Sequence, residues 1–361
     1  MSDDAPHTTT HLPNAARPTH PGRVAFLHDP QHHAHHGPLD HPERPARLDA
    51  ILKHLDATGR LARCDVLTPD DLPPERRDAR DADLQRCHPR PYLDAFADAC
   101  VAERPYFMSP DTPITGDTET IARRATGLAL HAARHALQTP GSRAFCAIRP
   151  PGHHATADQA MGFCFYNHAA LVADVLLNPQ SEIPNPKLKR VAIPSGRSRV
   201  AILDFDVHHG NGTQALTNHR GDILFLSLHE DPNHQYPGTG HAHETGTPNT
   251  PGQGHTVNAP LPTGTNGDAF LAALDRDILP RLADFAPDAL VFSAGFDAHA
   301  DDPLGGLHLT TACYHEITHR TVAALPDHGR ATPVISLLEG GYNTDALAAS
   351  VAAHLDALAE H

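Results

Sequence analysis

Two acids and two histidines follow an apolar run in the middle of the chain, and their spacing is suited to metal chemistry. Residues 200–203 are apolar and lead into Asp204, Asp206, His208 and His209 before a Gly-Asn-Gly turn. Because successive side chains of a β-strand alternate between its faces, Asp204, Asp206 and His208 are predicted to point the same way. Open α/β sheets bind ligands at the carboxyl ends of their strands. Carboxylates and imidazoles are ligands of zinc, so the segment predicts part of a metal site.

Four further segments carry reactive side chains beside strand ends or glycine turns. His153 and His154 are adjacent in a Pro-Gly turn, where both rings can face one cavity. Residues 161–167 are mostly apolar and predict either a pocket wall or ordinary core. A buried strand precedes Asp297, and two glycines leave Tyr342 free to project from a tight turn. Taken alone, the paired histidines are equally compatible with a surface position in a histidine-rich chain.

The elements that must position these residues alternate along the chain. Nearly continuous apolar runs predict buried strands at 24–27, 144–148, 200–205, 223–228, 289–294 and 334–338. Amphipathic patterns predict helices at 48–55, 128–137, 170–177, 270–282 and 347–358. This alternation predicts an α/β domain with a single, mostly parallel sheet and helices on both faces. We expect a disordered tail over 1–22, one domain over 23–361, and a surface-loop insertion over 179–198, where an Arg-Val-Ala-Ile sequence is repeated.

Composition narrows the function classes. The formal net charge of -15 and the lack of a basic stripe argue against nucleic acid as a partner. No apolar stretch has membrane-spanning length, and the first twenty residues do not resemble a signal peptide. The six cysteines show no disulfide spacing, which favours a reducing, cytoplasmic location. Scarce lysine and abundant arginine, alanine and proline indicate a bacterial source, while the sequence leaves homo-oligomer formation open.

Taken together, the five segments resemble the histone deacetylase superfamily, which includes acetylpolyamine amidohydrolases and acetoin-utilisation proteins. The resemblance extends from about His41 to the C-terminus, with the motifs in the family's order. Residues 41–45 (His-Pro-Glu-Arg-Pro) and 236–240 (Tyr-Pro-Gly-Thr-Gly) are further landmarks. The resemblance implies a three-layer arginase/deacetylase-type fold and zinc-dependent hydrolysis of a linear amide, as in bacterial histone deacetylase-like amidohydrolases.

The resemblance also implies a set of ion ligands. Asp206, His208 and Asp297 match the family's three ligands of the catalytic metal, and this oxygen and nitrogen set is compatible with Zn²⁺ or Fe²⁺. The family's monovalent-cation site, a structural site for K⁺, matches Asp204, Asp206, His208 and Ser227.

Five residues match the family's catalytic machinery. His154 matches the general base, which also protonates the leaving amine, and His153 matches the histidine that stays protonated. Asp204 matches the acidic partner of His153. Asn211 stands where many nuclear deacetylases have an aspartate, and the amide is typical of the class II-like branch. Tyr342 matches the tyrosine that donates to the oxyanion.

The substrate channel is implied in the same way. Phe163 and Tyr236 match its two aromatic walls, and the carbonyl of Gly162 matches the acceptor for the substrate amide. These matches predict an acetyl-lysine protein or peptide, or a small acetylated amine, as substrate. The main alternative is an acetylpolyamine amidohydrolase. Polyamine-selective relatives tend to carry a glutamate seven residues beyond the third ligand, whereas this chain has Leu304, near Asp301 and Asp302.

Other readings stay open. The chain could be an inactive acyl-lysine-binding protein, or an arginase-like ureohydrolase with two metal ions and more acidic ligands. Residues 31–36 contain four histidines, which we interpret as a solvated loop, with adventitious metal binding as the alternative. His229, His234, His241 and His243 are expected at the pocket mouth, and His209 is interpreted as structural.

Overall fold

The computed structural model describes residues 23–179, 198–326 and 331–361. The predicted tail over 1–22 lies outside the described residues, as do positions 180–197 of the predicted insertion. Within the described ranges, no helix is long and apolar enough to span a lipid bilayer.

One parallel sheet of eight strands forms the centre of the described structure, in the order β2-β1-β3-β8-β7-β4-β5-β6. Its strands are β1 (Val24–His28), β2 (Asp65–Leu67), β3 (Arg143–Ala147), β4 (Val200–Asp204), β5 (Ile223–Glu230), β6 (Thr256–Leu261), β7 (Ala289–Ala294) and β8 (Val334–Leu338). The predicted single parallel sheet is therefore confirmed. Strands β3, β4, β5, β7 and β8 are buried throughout, as expected of strands covered on both faces.

Helices cover both faces of this sheet. They are α1 (Ala46–Ala57), α2 (Asp81–Leu84), α3 (Arg90–Val101), α4 (Thr118–Gln138), α5 (His168–Leu177), α6 (Asn211–Thr217), α7 (Gly267–Ala273), α8 (Leu279–Phe285), α9 (Thr311–Ala323) and α10 (Thr344–Ala359). Alternate residues of β4 enter different cores: Leu203 packs with residues of α1, α9 and α10, and Ile202 packs with residues of α3, α4 and α5. The predicted three-layer arrangement follows from this alternation.

The two strands that sequence reasoning missed are the edges of the sheet. Strand β2 has three residues, of which two are only partly buried. Strand β6 mixes polar and apolar residues and contains Pro260, which is tolerated at an edge because one side of that strand needs no hydrogen-bonding partner. Neither strand has the continuous apolar run by which the central strands were recognised.

The helix predicted over 270–282 is interrupted. A π-helical turn spans Leu274–Ile278, and α8 begins at Leu279 with Pro280 in its first turn. Proline has no backbone N–H to donate to the preceding turn, so a regular α-helix cannot continue through it.

Candidate metal centre and active site

The candidate site lies at the carboxyl ends of four adjacent strands, β3, β8, β7 and β4. Because these strands are parallel, the segments that follow them emerge at the same edge of the sheet. Those segments carry the predicted site residues, which are His153 and His154 after β3, Tyr342 after β8, Asp297 after β7, and Asp206 and His208 after β4.

Asp206, His208 and Asp297 form a compact buried cluster. The Nδ1 atom of His208 lies 2.9 Å from Asp206 Oδ1 and 3.2 Å from Asp297 Oδ2. One potential ligand atom of each residue lies within 4.8 Å of the others. The structure thus brings together the three residues that the resemblance assigns to the catalytic metal.

The cluster has the properties expected of a divalent-cation site. Asp297 Oδ2 is buried and its close contact is with His208 Nδ1, whereas Oδ1 accepts from the Val207 amide at 2.9 Å. Burial and the charge of Asp206 raise the pKa of Asp297 to about 7. Burial opposes the charged form of His208, but the two carboxylates outweigh it and raise the pKa of His208 to about 10. Two carboxylates in a buried cluster therefore favour a positive charge between them, which fits a divalent ion.

A glycine leaves space for this cluster. A Cβ atom at Gly340 would collide with Asp297 Oδ2 and would lie 2.6 Å from Asp206 Oδ2. The Gly340 amide instead donates to Asp206 Oδ2 at 2.8 Å, which fixes that carboxylate. Position 340 must therefore lack a side chain.

The alternation argument for Asp204, Asp206 and His208 is wrong beyond Asp204, because β4 ends at that residue. Asp206 and His208 lie in the following turn, where Asp206 Oδ1 accepts from the His208 amide at 2.9 Å. Asp204 faces elsewhere: its Oδ2 atom lies 3.0 Å from His153 Nδ1. The change of direction after β4 therefore places Asp206 in the metal cluster and leaves Asp204 paired with His153.

The tandem histidines are each held by a different partner. Their ring centroids lie 4.0 Å apart, and His153 Nε2 lies 3.9 Å from Asp206 Oδ1. His154 Nδ1 lies 2.7 Å from Asn211 Oδ1, an oxygen that can only accept, so Nδ1 carries the proton. This tautomer leaves the lone pair of His154 on Nε2.

The two imidazoles have pKa values displaced in opposite directions. Burial opposes the charge on His153, but Asp204, Asp206 and Glu339 outweigh it and hold the pKa of His153 well above its usual value. Burial, followed by the positive charges of His153 and His208, holds the pKa of His154 well below its usual value. At neutral pH the pair therefore consists of one imidazolium and one neutral imidazole, an acid and a base side by side.

Tyr342 is buried beside the cluster and between two side chains. Its amide donates to Asp302 Oδ2 at 2.6 Å, and the Arg47 guanidinium lies 5.0 Å from the centre of its ring. Burial raises the pKa of the Tyr342 hydroxyl well above its usual value, so the phenol keeps its proton and can donate.

The residues predicted to line the channel surround these groups. The Phe163 ring lies 5.8 Å from the Tyr342 ring, and the Tyr236 ring lies edge-on to His154 at 5.1 Å. Gly162 has a φ of 55°, and a Cβ atom there would collide with the His154 ring. The position therefore requires glycine and brings the backbone against the imidazole.

Sequence reasoning missed Glu339, Asp111 and Glu43. Glu339 Oε2 accepts from the amides of Gly152 and His153 at 2.7 and 3.1 Å, and burial raises the pKa of Glu339 to about 7. Asp111 Oδ2 accepts from the Gly162 amide at 2.8 Å. The signal for Glu339 was its position directly after a buried strand, but Asp111 lies in an irregular segment with no such signal.

Glu43 is the centre of a buried ion cluster behind the site. Its carboxylate accepts from Arg149 Nε at 2.8 Å and from Arg149 Nη2 at 2.6 Å. Arg47 Nη1 donates to the same carboxylate at 3.2 Å, while its Nε donates to the Gly341 carbonyl at 2.6 Å. The cluster joins the start of α1 to the segments that carry His153 and Tyr342.

Two of the four predicted monovalent-cation residues are adjacent in the sheet, since Asp204 of β4 is paired with Ser227 of β5, while Asp206 and His208 lie in the turn after β4. Ser227 is buried, and its hydroxyl lies 2.8 Å from His229 Nδ1. His229 is fully buried, so its predicted place at the pocket mouth is wrong. His209 contacts Thr239 and Gln214 through its two ring nitrogens at 2.8 and 3.0 Å, as a structural residue would.

Comparisons with known proteins bear on the family and the fold of the chain. Residues 41–358 match the sequence family described as the histone deacetylase domain. The chain is 36% identical over 321 residues to histone deacetylase 15 of Arabidopsis thaliana, covering 88% of this chain and 52% of that protein. It is 36% identical over 310 residues to a histone deacetylase-like amidohydrolase of Pseudomonas aeruginosa, covering 85% of this chain and 73% of that protein.

Two solved structures are similar over most of their length. The HD domain of HDA15 has a TM-score of 0.79 and 31% identity, covering 94% of this chain and 89% of that one. An acetylpolyamine aminohydrolase from Burkholderia pseudomallei has a TM-score of 0.74 and 28% identity, covering 93% of this chain and 98% of that one. The chain thus spans about half the length of the plant protein, but nearly all of either solved domain.

Proposed function

The chain belongs to the histone deacetylase family, and we propose that it hydrolyses the amide bond of an N-acetylated lysine or a similar acylated amine, releasing acetate. The observation that carries this proposal is the buried cluster of Asp206, His208 and Asp297. The tandem histidines and Tyr342 lie beside it.

We propose that Asp206, His208 and Asp297 hold Zn²⁺, with Fe²⁺ as the other ion that this donor set suits. When bound, the ion supplies a Lewis acid that polarises the amide carbonyl and lowers the pKa of water. We assign K⁺ to the predicted site at Asp204, Asp206, His208 and Ser227.

We assign the proton transfers to His154 and the stabilisation of negative charge to Tyr342 and His153. Neutral His154 accepts a proton from the attacking water at Nε2, because its Nδ1–H is held by Asn211. The Tyr342 hydroxyl donates to the carbonyl oxygen as it gains negative charge. The C–N bond then breaks, and His154 returns its proton to the leaving nitrogen. Charged His153, held by Asp204, stabilises the anionic intermediate electrostatically.

The substrate amine is bound in the channel that Phe163 and Tyr236 enclose. Tyr236 is 40% exposed and marks the outer end of the channel. We place the acyl group at the metal cluster and the alkyl chain between the two rings. The carbonyl of Gly162 accepts from the substrate amide.

An acetylpolyamine substrate is the second candidate, favoured by one observation at the channel. The Asp111 carboxylate accepts from the Gly162 amide at 2.8 Å and interacts with the Tyr236 hydroxyl, so it adjoins two residues of the channel. An acidic oxygen at this position can attract the second ammonium group of a polyamine. Leu304, in place of the glutamate of polyamine-selective relatives, favours acetyl-lysine instead.

Rates on matched substrates test the proposal. We expect the zinc-loaded protein to turn over an acetyl-lysine peptide faster than acetylputrescine or acetylspermidine, with longer acyl-lysines as a further comparison. Polyamine rates far above the peptide rate would reverse the ranking, and no turnover of any acylated amine would contradict the proposed function. An Asp297→Asn control should lose both metal at this site and activity.

The metal content of the catalytic cluster separates a deacetylase from a ureohydrolase. We expect Asp206→Ala to remove one equivalent of bound zinc from the full chain, because the described residues bring three ligand side chains together there, a set suited to one ion. Removal of two equivalents would favour a two-metal ureohydrolase.

A further inference from the structure

The histidines of residues 31–36 are not uniformly solvated, contrary to the interpretation from sequence. His32 and His35 are buried, whereas His33 and His36 are exposed. A short 3₁₀ turn, His32–Ala34, follows β1 and places the first two histidines against Asp49 of α1.

The tautomer of His32 is fixed by its surroundings. Its Nδ1 atom lies 2.8 Å from the Asp29 carbonyl oxygen, which can only accept, so Nδ1 carries the proton. The lone pair is therefore on Nε2. The Asp29 carboxylate is itself anchored by Arg124 at 2.5 and 2.7 Å, so this arrangement does not depend on a mobile side chain.

The lone pair of His32 faces another acceptor. The His32 side chain is buried, with 3% of its surface exposed. Its Nε2 atom lies 3.4 Å from Asp49 Oδ1. No hydrogen-bond partner for Nε2 occurs within residues 23–179, 198–326 or 331–361. A buried nitrogen lone pair beside a carboxylate oxygen is unfavourable unless a positive charge lies between them.

His33 completes the arrangement from the solvent side. Its Nε2 lies 3.1 Å from the same Asp49 oxygen, and its ring centroid lies 4.3 Å from that of His32. The His33 and Asp49 side chains are 58% and 48% exposed, so solvent reaches the cluster.

We propose that His32 Nε2, His33 Nε2 and a carboxylate oxygen of Asp49 form a second metal site, suited to Zn²⁺ or a similar divalent transition metal. The three candidate ligand atoms lie within 4.8 Å of one another. Two imidazoles and a carboxylate are zinc ligands, and such a set would leave a fourth position for water. The Nδ1–H bond from His32 to a carbonyl is the outer contact that metal-binding histidines usually make.

This site shares no ligand with the catalytic cluster, but it lies on the outer side of the Glu43 ion cluster. The His32 carbonyl accepts from Arg149 Nη1 at 2.7 Å, and Arg149 is bound to Glu43. A bound ion would link the loop after β1, through His32 and His33, to Asp49 of α1. We therefore assign it a structural role in supporting the segment that leads to His153.

Zinc titration of the full chain tests the proposal. The protein carries no affinity tag, because the chain already contains 31 histidines and further zinc ligands would obscure the result. The catalytic cluster is first filled with one equivalent of Zn²⁺, and further Zn²⁺ is added by isothermal titration calorimetry. Wild-type protein, His33→Gln and Asp49→Asn are compared with His36→Gln, an exposed histidine of the same loop outside the cluster.

We expect wild type and His36→Gln to bind one further equivalent, and His33→Gln and Asp49→Asn to bind it at least about tenfold more weakly. Two variants on different elements, both at exposed side chains, guard against a folding defect, which circular dichroism would reveal. Equal affinity in all four proteins, or no further equivalent in wild type, would overturn the proposal. An equal loss in His36→Gln would assign the binding to the loop's histidines in general.

Discussion

Tyr342 and Tyr236 both bring a phenol to the channel, but their surroundings differ. Tyr342 is 8% exposed and lies beside Arg47, whereas Tyr236 is 40% exposed. The proposed mechanism uses the hydroxyl of Tyr342 and only the ring of Tyr236. Removing the phenol oxygen from each tyrosine in turn therefore compares the same chemical change at two positions of one pocket.

We expect Tyr342→Phe to lower kcat by about a hundredfold or more, the usual cost of removing one oxyanion donor. Tyr236→Phe keeps the wall and should change kcat much less. Steady-state rates measured alongside zinc content give the comparison. Normal turnover in Tyr342→Phe, or an equal loss in both variants, would contradict the assigned role.

Asn211 is the hydrogen-bond partner of His154, although burial and the charge of His153 have larger effects on the pKa of His154. Its amide oxygen holds His154 Nδ1 at 2.7 Å without adding a negative charge. Since burial and the positive charge of His153 hold the pKa of His154 well below its usual value, the base stays neutral into the acidic range. Activity that depends on neutral His154 should therefore persist as the pH falls below 6.5.

Asn211→Asp should move the acidic limb of the pH profile of kcat/KM upward. A carboxylate beside Nδ1 stabilises the imidazolium, so His154 is protonated, and inactive as a base, at a higher pH. Profiles of both proteins on one acetyl-lysine peptide provide the measurement, with equal zinc content as the control. An unmoved or downward-shifted limb would show that His154 does not set it.

At the scale of elements, the Glu43 cluster joins parts of the chain that are far apart in sequence. Glu43, just before α1, binds Arg149 of the segment after β3, and Arg47 of α1 binds the Gly341 carbonyl after β8. Burial would raise the pKa of Glu43, but Arg149 and His35 outweigh it and hold that pKa well below the usual value. The ionised carboxylate is therefore part of the folded structure.

Glu43→Gln should lower the free energy of unfolding by about 3–5 kcal/mol at pH 7, because it leaves buried arginines without their counter-charge. The contribution is fully present above the unfolded pKa of about 4.3, and it is lost as the pH falls from there through the folded pKa. The difference between the two proteins should therefore shrink in acid. Urea denaturation across this pH range gives the measurement.

Glu316→Gln is the matched control for that experiment. Glu316 pairs with Arg320 at 3.0 Å on α9, but its side chain is 43% exposed. An exposed pair of this kind contributes about 1 kcal/mol or less. Similar losses of unfolding free energy in Glu43→Gln and Glu316→Gln would show that the buried cluster contributes no more to stability than an exposed ion pair.

At the scale of the whole molecule, the net charge of -15 bears on the choice of substrate. A negative protein attracts cationic amines over distances that depend on ionic strength. Asp111 adds a local carboxylate beside Gly162, where such an amine would enter.

We expect kcat/KM for acetylspermidine to fall by several-fold, roughly threefold or more, between low and high NaCl, with K⁺ held constant. An acetyl-lysine derivative with blocked, uncharged ends should change by less than about twofold under the same conditions. Equal salt dependence would show that overall charge does not guide the substrate.

The sequence by itself determined the central architecture and the types of reactive residue. The strands β1, β3, β4, β5, β7 and β8 were recognisable because burial on both faces requires nearly continuous apolar runs. The carboxyl ends of those strands pointed to the site, since parallel strands place their following segments at one edge. The site residues were named through the family resemblance, because no local pattern says which acid faces a metal and which faces a histidine.

Only the tertiary structure decided which partner each of those residues contacts. Asp206 turns towards Asp297 because β4 ends at Asp204, and Asp204 turns towards His153, a contact between positions 51 residues apart. Glu339 accepts from the Gly152 and His153 amides, and Glu43 binds Arg149 as well as the nearby Arg47. The contacts with Gly152, His153 and Arg149 join positions at least 106 residues apart, so they were not visible from neighbouring residues. The histidines of residues 31–36 were separated in the same way, because His32 is buried with its carbonyl bonded to the distant Arg149, whereas His33 is exposed beside Asp49.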